Sequence, residues 1–158
     1  MTLFLLFVSA QLFGNGIACL IAAVATNIGA TSTVLGTNAR HGDGVAFVVE
    51  ADEYDHMFLG FNPSVAVITN IEWDHPDCYP TPASFRHAFI QFADSTKRDG
   101  LVISCADDPG AEQLRSYQPK RALRWLTYGA AEQADWRAVD LTPLAGGGYQ
   151  AAIYHRTT

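Results

Sequence analysis

VAFVVEADEYDHMFLGFNPSVAVITNIEWDHPDCY, residues 45–79, carries the pattern that decides the fold. Two short apolar runs stand in it, Val45 to Val49 and Ser64 to Thr69, the second introduced by Pro63. A polar, acidic cluster follows each run at once. Apolar runs this short and without alternation suit strands buried on both faces, as in a parallel sheet. Downstream, Leu101 to Cys105 and Ala122 to Tyr128 read as further strands. A turn at Gly146 to Gly148 introduces a last one, Tyr149 to Tyr154. Between them, Thr81-Pro82 and Asp108-Pro109 each offer a capping side chain followed by proline at the first helical turn. Phe85, Phe89 and Phe92 follow the first of these at helical spacing and form one core-facing stripe. Strands alternating with helices predict an α/β fold: a mainly parallel sheet with helices on both faces and a small antiparallel C-terminal portion. Ligands of such sheets bind beyond the carboxyl ends of the strands. Glu50 and Asn70 fall at two such ends.

The chain has 158 residues, 49% hydrophobic and 16% charged, which suits one domain with a real core and excludes a disordered chain. Its net charge is -6 and its ten Lys and Arg are scattered, so a nucleic-acid footprint is absent. Cys19, Cys78 and Cys105 stand apart without a CxxC pair, which argues against a disulfide framework or a zinc site and for a reduced, cytoplasmic setting. The charge is unevenly placed. No charged side chain precedes Arg40, whereas residues 43 to 77 hold eight of the sixteen acids.

The uncharged start, Met1 to Ala25, admits three readings. A signal peptide would be cleaved near Val8-Ser9-Ala10, but the basic leading region is missing. A membrane span is interrupted at Gln11, Gly14, Asn15 and Gly16 and has no basic flank. The favoured reading is a buried strand at Leu3 to Val8, a turn at Gly14-Asn15-Gly16 and a helix from Ile17 to Ile28.

The two acidic clusters carry the chemistry. Right-handed crossovers bring both strand ends to one sheet edge, which then collects Glu50, Asp52, Glu53, Asp55, Glu72, Asp74, His75 and Asp77. Converging carboxylates raise one another's pKa unless a countercharge is present. A hard cation such as Mg2+ resolves the conflict, with Glu50 and His75 as candidate ligands. A solvated acidic surface is the alternative. Asn70, polar at the end of an apolar strand, either orients a ligand or caps the following turn. Trp73 could stack on a base, with packing the plainer reading. Cys78 lies beside Asp74 and Asp77, which disfavour a thiolate. His41, His56, His87 and His155 show no pairing pattern.

EADEYD from Glu50, AVITNIEWDHPDCY from Ala66, LGTNARHGDG from Leu35 and GLVISCADDPG from Gly100 together resemble the central domain of the Mur ligases. Thr127-Tyr128-Gly129 and Ala134-Asp135-Trp136 extend the resemblance, which is clearest over residues 33–140. Within the family it points first to the members that join L-alanine to UDP-N-acetylmuramate, and second to those that recycle murein tripeptide. The resemblance implies a P-loop-like domain that takes part in ATP-dependent amide formation in peptidoglycan synthesis, through an acyl phosphate and with Mg2+. It implies Glu50 as the acidic Mg2+ ligand and His75 as a ligand of a second Mg2+. Asn70 would face the reacting phosphate, giving Asn70 and His75 catalytic roles. Asn38 and Arg40 would lie near a UDP-N-acetylmuramate-type nucleotide sugar.

One element departs from the family. Its phosphate loop, GTHGKT, should fall between Val8 and Ile17, where this chain has SAQLFGNG. Lys97 and Lys120 are the only lysines, and no hydroxyl occurs from Ala10 to Gly16. A phosphate loop works through its lysine and its hydroxyl. Gly14, Asn15 and Gly16 at a helix start could still offer an anion backbone N–H groups, a weak substitute, so ATP binding is expected to be weak. By length, residues 1–158 are expected to be one truncated central domain, without the N-terminal UDP-binding domain and the C-terminal amino-acid domain. Little activity is then expected of the chain alone. A derived, non-catalytic binding or assembly module is the alternative reading. Self-association or a complementing chain would fit either, and a membrane anchor is disfavoured.

Overall fold

The computed structural model describes residues 3–8, 25–27, 37, 39–40, 46–117, 123–145 and 148–156. The apolar runs become strands: β1 (Leu3–Val8), β4 (Ala46–Glu50), β5 (Val65–Ile68), β6 (Leu101–Cys105), β7 (Arg124–Gly129) and β9 (Tyr149–His155). To these are added β2 (Ala25–Asn27), β3 (Ala39–Arg40) and β8 (Trp136–Pro143). Two helices follow the two proline signals, α1 (Pro82–Ser95) and α2 (Pro109–Arg115). A 3₁₀ segment, Tyr54–Gly60, lies between β4 and β5.

All of these strands join one mixed sheet in the order β3-β2-β4-β1-β5-β6-β7-β8-β9. It is parallel from β2 to β8, with an antiparallel pair at each end, β2–β3 and β8–β9. The small antiparallel portion expected at the C-terminus is the β8–β9 pair. β1 is central, as its uninterrupted apolar sequence requires. Phe7 aligns with Glu50 on one side, and Val8 with Ile68 on the other. The chain therefore leaves β1 for one half of the sheet (β2, β4) and returns past it to build the other (β5, β6, β7). The carboxyl ends of β4, β1 and β5 sit side by side at this switch point, where α/β sheets open a crevice for ligands.

The helix expected from Ile17 to Ile28 is corrected over Ala25–Asn27. These residues form β2 and pair in parallel with Phe47, Val48 and Val49. Alanine content is a weak prior, and strand pairing overrides it here. Residues 17–24 and Ile28, and the turn expected at Gly14-Asn15-Gly16, lie outside the described residues. No helix among the described residues is long and apolar enough to cross a membrane, and Leu3–Val8 is a six-residue strand paired on both sides.

The helix starts behave as their residues dictate. Thr81 Oγ1 accepts from the Ser84 amide at 3.1 Å, and Ser84 Oγ accepts from the Thr81 amide at 3.1 Å, a reciprocal capping box. Asp108 caps α2 by accepting from the Ala111 amide at 2.7 Å. Right-handed crossovers set α1 and α2 on one face, where the two helices touch. A covering of the other face would fall on residues outside those described. The core between α1 and the sheet is aromatic. Phe85, Phe89 and Phe92 are all buried, as their spacing predicts. Phe58 from the 3₁₀ segment stacks on Phe92 (centroids 5.1 Å) and meets Phe89 edge-on (5.2 Å). Tyr79 meets Phe85 edge-on at 4.9 Å. Each such pair contributes about 0.5–1.5 kcal/mol beyond its buried area.

Candidate functional site

Glu50 is the last residue of β4, one position later than the sequence run suggests. Beyond it Ala51 is buried and Asp52 turns the chain, its Oδ1 accepting from the Tyr54 amide at 2.9 Å. The Phe58 amide donates to Asp52 O at 2.9 Å and closes the loop. Asp55 (φ 50) and His56 (φ 58) are both left-handed within it. After β5 the chain runs through Thr69, Asn70 and Ile71 to His75, again left-handed at φ 54. Left-handed non-glycine residues cost about 1–3 kcal/mol each and persist where surrounding bonds over-determine them. Those bonds are visible at His75. Its amide donates to Asp74 Oδ1 at 2.7 Å, and its carbonyl accepts from Cys78 and Tyr79 at 2.9 and 2.8 Å.

The two loops are stitched together. The Tyr79 hydroxyl donates to Glu53 O, the Tyr54 hydroxyl donates to Asp77 Oδ2 at 3.1 Å, and His75 Nε2 lies 3.6 Å from Glu53 Oε1 and 4.0 Å from Asp74 Oδ2. His56 meets the Tyr79 ring edge-on at 4.6 Å. Of the residues expected at this edge, the acids Glu53, Asp74 and Asp77 and the histidine His75 are thus brought into one group. Asp52 and Asp55 shape the first loop. Trp73 is not packed away: it is half exposed, with its Nε1 donating to Tyr79 O at 3.0 Å.

Tyr79 was not singled out by its sequence context, yet it is fully buried and joins both loops. Burial first, then the Glu53 carboxylate, push its phenol up to about 12. A raised value favours the protonated phenol in the folded state. Its stabilising contribution is therefore whole below pH 10 and is lost as pH rises toward 12. Tyr79→Phe is expected to lower stability at neutral pH by about 1–3 kcal/mol, the cost of an unpaired carbonyl. It should also flatten the alkaline loss between pH 10 and 12. Urea unfolding at stepped pH tests this, and parallel curves for the two proteins would refute it.

The second loop is also tied from behind. Asp108 Oδ1, while capping α2, accepts from the Ile71 amide at 3.0 Å. Asp107 accepts from the Ala130 and Ala131 amides, both at 2.7 Å. Asp135 Oδ2 accepts from the Thr127 amide and hydroxyl, both at 2.8 Å. Burial would raise the Asp135 carboxyl, but these Thr127 bonds outweigh it and hold the group below the usual carboxylate range. The Asp107-Asp108-Pro109 element and the Thr127 and Asp135 motifs are therefore braces between strand ends.

Asn70 stands two residues past β5, half-buried, with its Oδ1 accepting from Thr69 Oγ1 at 3.1 Å. Arg40 pairs with Thr26 at the far side of the sheet, three strand spacings from β1, roughly 14 Å. Ala39 is level with Asn27 and so with Val49, which puts the start of β3 at the same edge as Glu50. Asn38, Gly14, Asn15, Gly16 and the side chain of Arg40 lie outside the described residues. Among the described residues no three His, Cys, Asp or Glu form a closed metal cage. The expected donors, the Glu50 carboxylate, the Asn70 amide oxygen and the His75 imidazole, stand at or beyond the ends of β4 and β5. That set fits a cation taking one or two protein ligands and filling its shell with water and phosphate oxygens, the habit of Mg2+.

Residues 14–153 match the Mur ligase middle domain. A UDP-N-acetylmuramate–L-alanine ligase of Frankia alni is 46% identical over 124 residues, covering 75% of this chain and 21% of that protein. One of Chloroflexus aggregans is 40% identical over 147 residues, covering 85% and 29%. The chain thus spans less than a third of the length of these relatives. Among solved structures, a UDP-N-acetylmuramate:L-alanyl-gamma-D-glutamyl-meso-diaminopimelate ligase from Neisseria meningitides superposes with a TM-score of 0.74. It is 19% identical, with 96% of this chain and 52% of that chain covered. The UDP-N-acetylmuramate-alanine ligase of Thermotoga maritima gives 0.69 at 19% identity, covering 98% and 34%. These likenesses at low identity agree on the fold.

Proposed function

The chain belongs to the Mur ligase family, as a middle domain, and from that premise we propose that it is the nucleotide-handling part of a ligase that joins L-alanine to UDP-N-acetylmuramate in peptidoglycan synthesis. The observation that supports the reading is the pair of loops after β4 and β5, stitched through Glu53, Tyr54, His75, Asp77 and Tyr79, with Glu50 ending β4 and Asn70 two residues past β5. The named relatives, ligases for that sugar nucleotide at 40–46% identity, support the choice of substrate. ATP with Mg2+ supplies the phosphoryl group and the neutralising charge for such a reaction. Glu50 and His75 hold the cation. Asn70 orients an oxygen of the reacting group beside it. Asn38 and Arg40 face the nucleotide sugar. Residues 10–16 lack the lysine and the hydroxyl through which a phosphate loop works. The isolated chain therefore binds ATP weakly and turns over little, in keeping with a cytoplasmic enzyme part that acts within a larger protein.

The test is a calorimetric titration of the chain with ATP at millimolar Mg2+, with and without UDP-N-acetylmuramate. Weak, saturable, Mg2+-dependent binding is expected. Glu50→Gln with His75→Ala should reduce it by at least about 10-fold, the lower bound for disturbing a metal site. Equal binding without Mg2+, or by the double variant, would sink the metal assignment.

A further inference from the structure

Tyr54 touches the loop after β5 in two places. Its ring meets the His75 imidazole edge-on, with centroids 5.1 Å apart and planes at 74°. Its hydroxyl donates to Asp77 Oδ2 at 3.1 Å. Its own amide is fixed on Asp52 Oδ1 at 2.9 Å, so the residue is anchored at both ends. The imidazole has carboxylates on its Nε2, Glu53 at 3.6 Å and Asp74 at 4.0 Å. A ring edge and two carboxylates restrict rotation about the His75 side chain. Meanwhile Tyr54 itself is 44% exposed and adds little to the core.

We propose that Tyr54 is a positioning residue for His75, its ring setting the orientation of the imidazole and its hydroxyl on Asp77 setting the ring. The geometry stands on its own; its consequence for cation binding rests on the function proposed above. A side chain that orients a metal-binding histidine changes metal affinity without touching the ion. Tyr54 acts so through a T-shaped ring contact, which favours one relative orientation of the two rings.

The test uses the full chain with labelled histidine, by nuclear magnetic resonance, with Mn2+ as the cation probe. Wild type should show a Tyr54–His75 ring contact and one His75 rotamer. Tyr54→Ala should average His75 over several rotamers and weaken Mn2+ binding by about 10-fold. Tyr54→Phe keeps the ring but loses its bond to Asp77, so it should recover only part of both, with His75 still averaged. The Trp125 indole, which donates to Ser104 Oγ at 2.8 Å, reports on the core and should not change. An unchanged His75 rotamer in Tyr54→Ala, with the Trp125 signal intact, overturns the proposal. Should that variant not fold, Asp77→Ala removes the anchor and keeps the ring. Rotamer averaging then supports the proposal, and its absence overturns it. If Mn2+ fails to broaden His75 in the wild type, the cation reading falls alone, and the rotamer comparison still decides the role of Tyr54.

Discussion

Phe58→Ala is expected to destabilise the fold by about 3–5 kcal/mol, the range for emptying a fully buried aromatic site. Phe58 is 0% exposed and contacts two rings of α1, Phe89 and Phe92. Its place in the chain makes the loss more than a cavity. The 3₁₀ segment has non-helical, left-handed backbone at Asp55 and His56, so its own hydrogen bonds hold it poorly. Phe58 is its one fully buried side chain, with Leu59 packed beside it against the core. Removing the ring should therefore also release the loop that carries Glu53. At roughly 2–4 °C per kcal/mol for a chain this size, thermal melting should fall by about 6–20 °C. Hydrogen exchange at the Phe58 amide, bonded to Asp52 O at 2.9 Å, should rise more than exchange in β6. A loss below about 1 kcal/mol would show that α1 collapses into the space and that the loop is held by other means.

Gly110→Ala should be the next most damaging change. A Cβ at this position would lie 2.3 Å from Ile71 O and 2.8 Å from Ile71 Cβ. The first of these is backbone and has no rotamer to yield. The second residue of α2 is thus pressed on the strand exit two residues past Thr69, and Asp108 bonds the Ile71 amide at the same place. Adding a methyl group must part the two, with the cap bond and the Ile71 bond strained together. About 3 kcal/mol is expected, the upper end for overpacking. The displacement also falls next to Asn70, so ATP binding should weaken along with stability. Gly60→Ala is the control. Nothing lies within 4 Å of its Cβ position, and the change should stay within about 0.5 kcal/mol. Chemical denaturation of the three proteins decides the matter, and equal midpoints for the two variants would dismiss the steric argument.

The strands that carry the site were legible because burial on both faces demands unbroken apolar runs. Leu3–Val8 and Leu101–Cys105 could be placed to the residue for that reason. Both helix starts were legible because a cap and a proline leave the backbone little choice. β2 was hidden, since three residues in an alanine-rich segment carry no period of their own. β8 was hidden too: WRAVDLTP alternates poorly and is broken by a left-handed Asp140 and a register shift before Thr142. Glu50, Asn70 and His75 are proposed from their places at or after strand ends and from family likeness. Tyr54, Tyr79 and Asp108 act through bonds between segments far apart in sequence. An aromatic inside an acidic run was the one local hint of the first two. Asp108 read as a cap, and its second bond to Ile71 had no local trace.

The central place of β1 also bears on how the chain is made. Its hydrogen-bonding partners lie roughly 40 residues on, where Leu3 meets Ala46, and 60 residues on, where Leu5 meets Val65. At about 5–20 residues per second, the β4 edge of this most apolar strand stays unmet for about 2–9 s after it is synthesised and the β5 edge for about 3–12 s. No charged residue in the first 39 positions offers it protection. That interval, rather than the finished fold, is when the nascent chain is most exposed to wrong pairing, and when a holding chaperone would matter most.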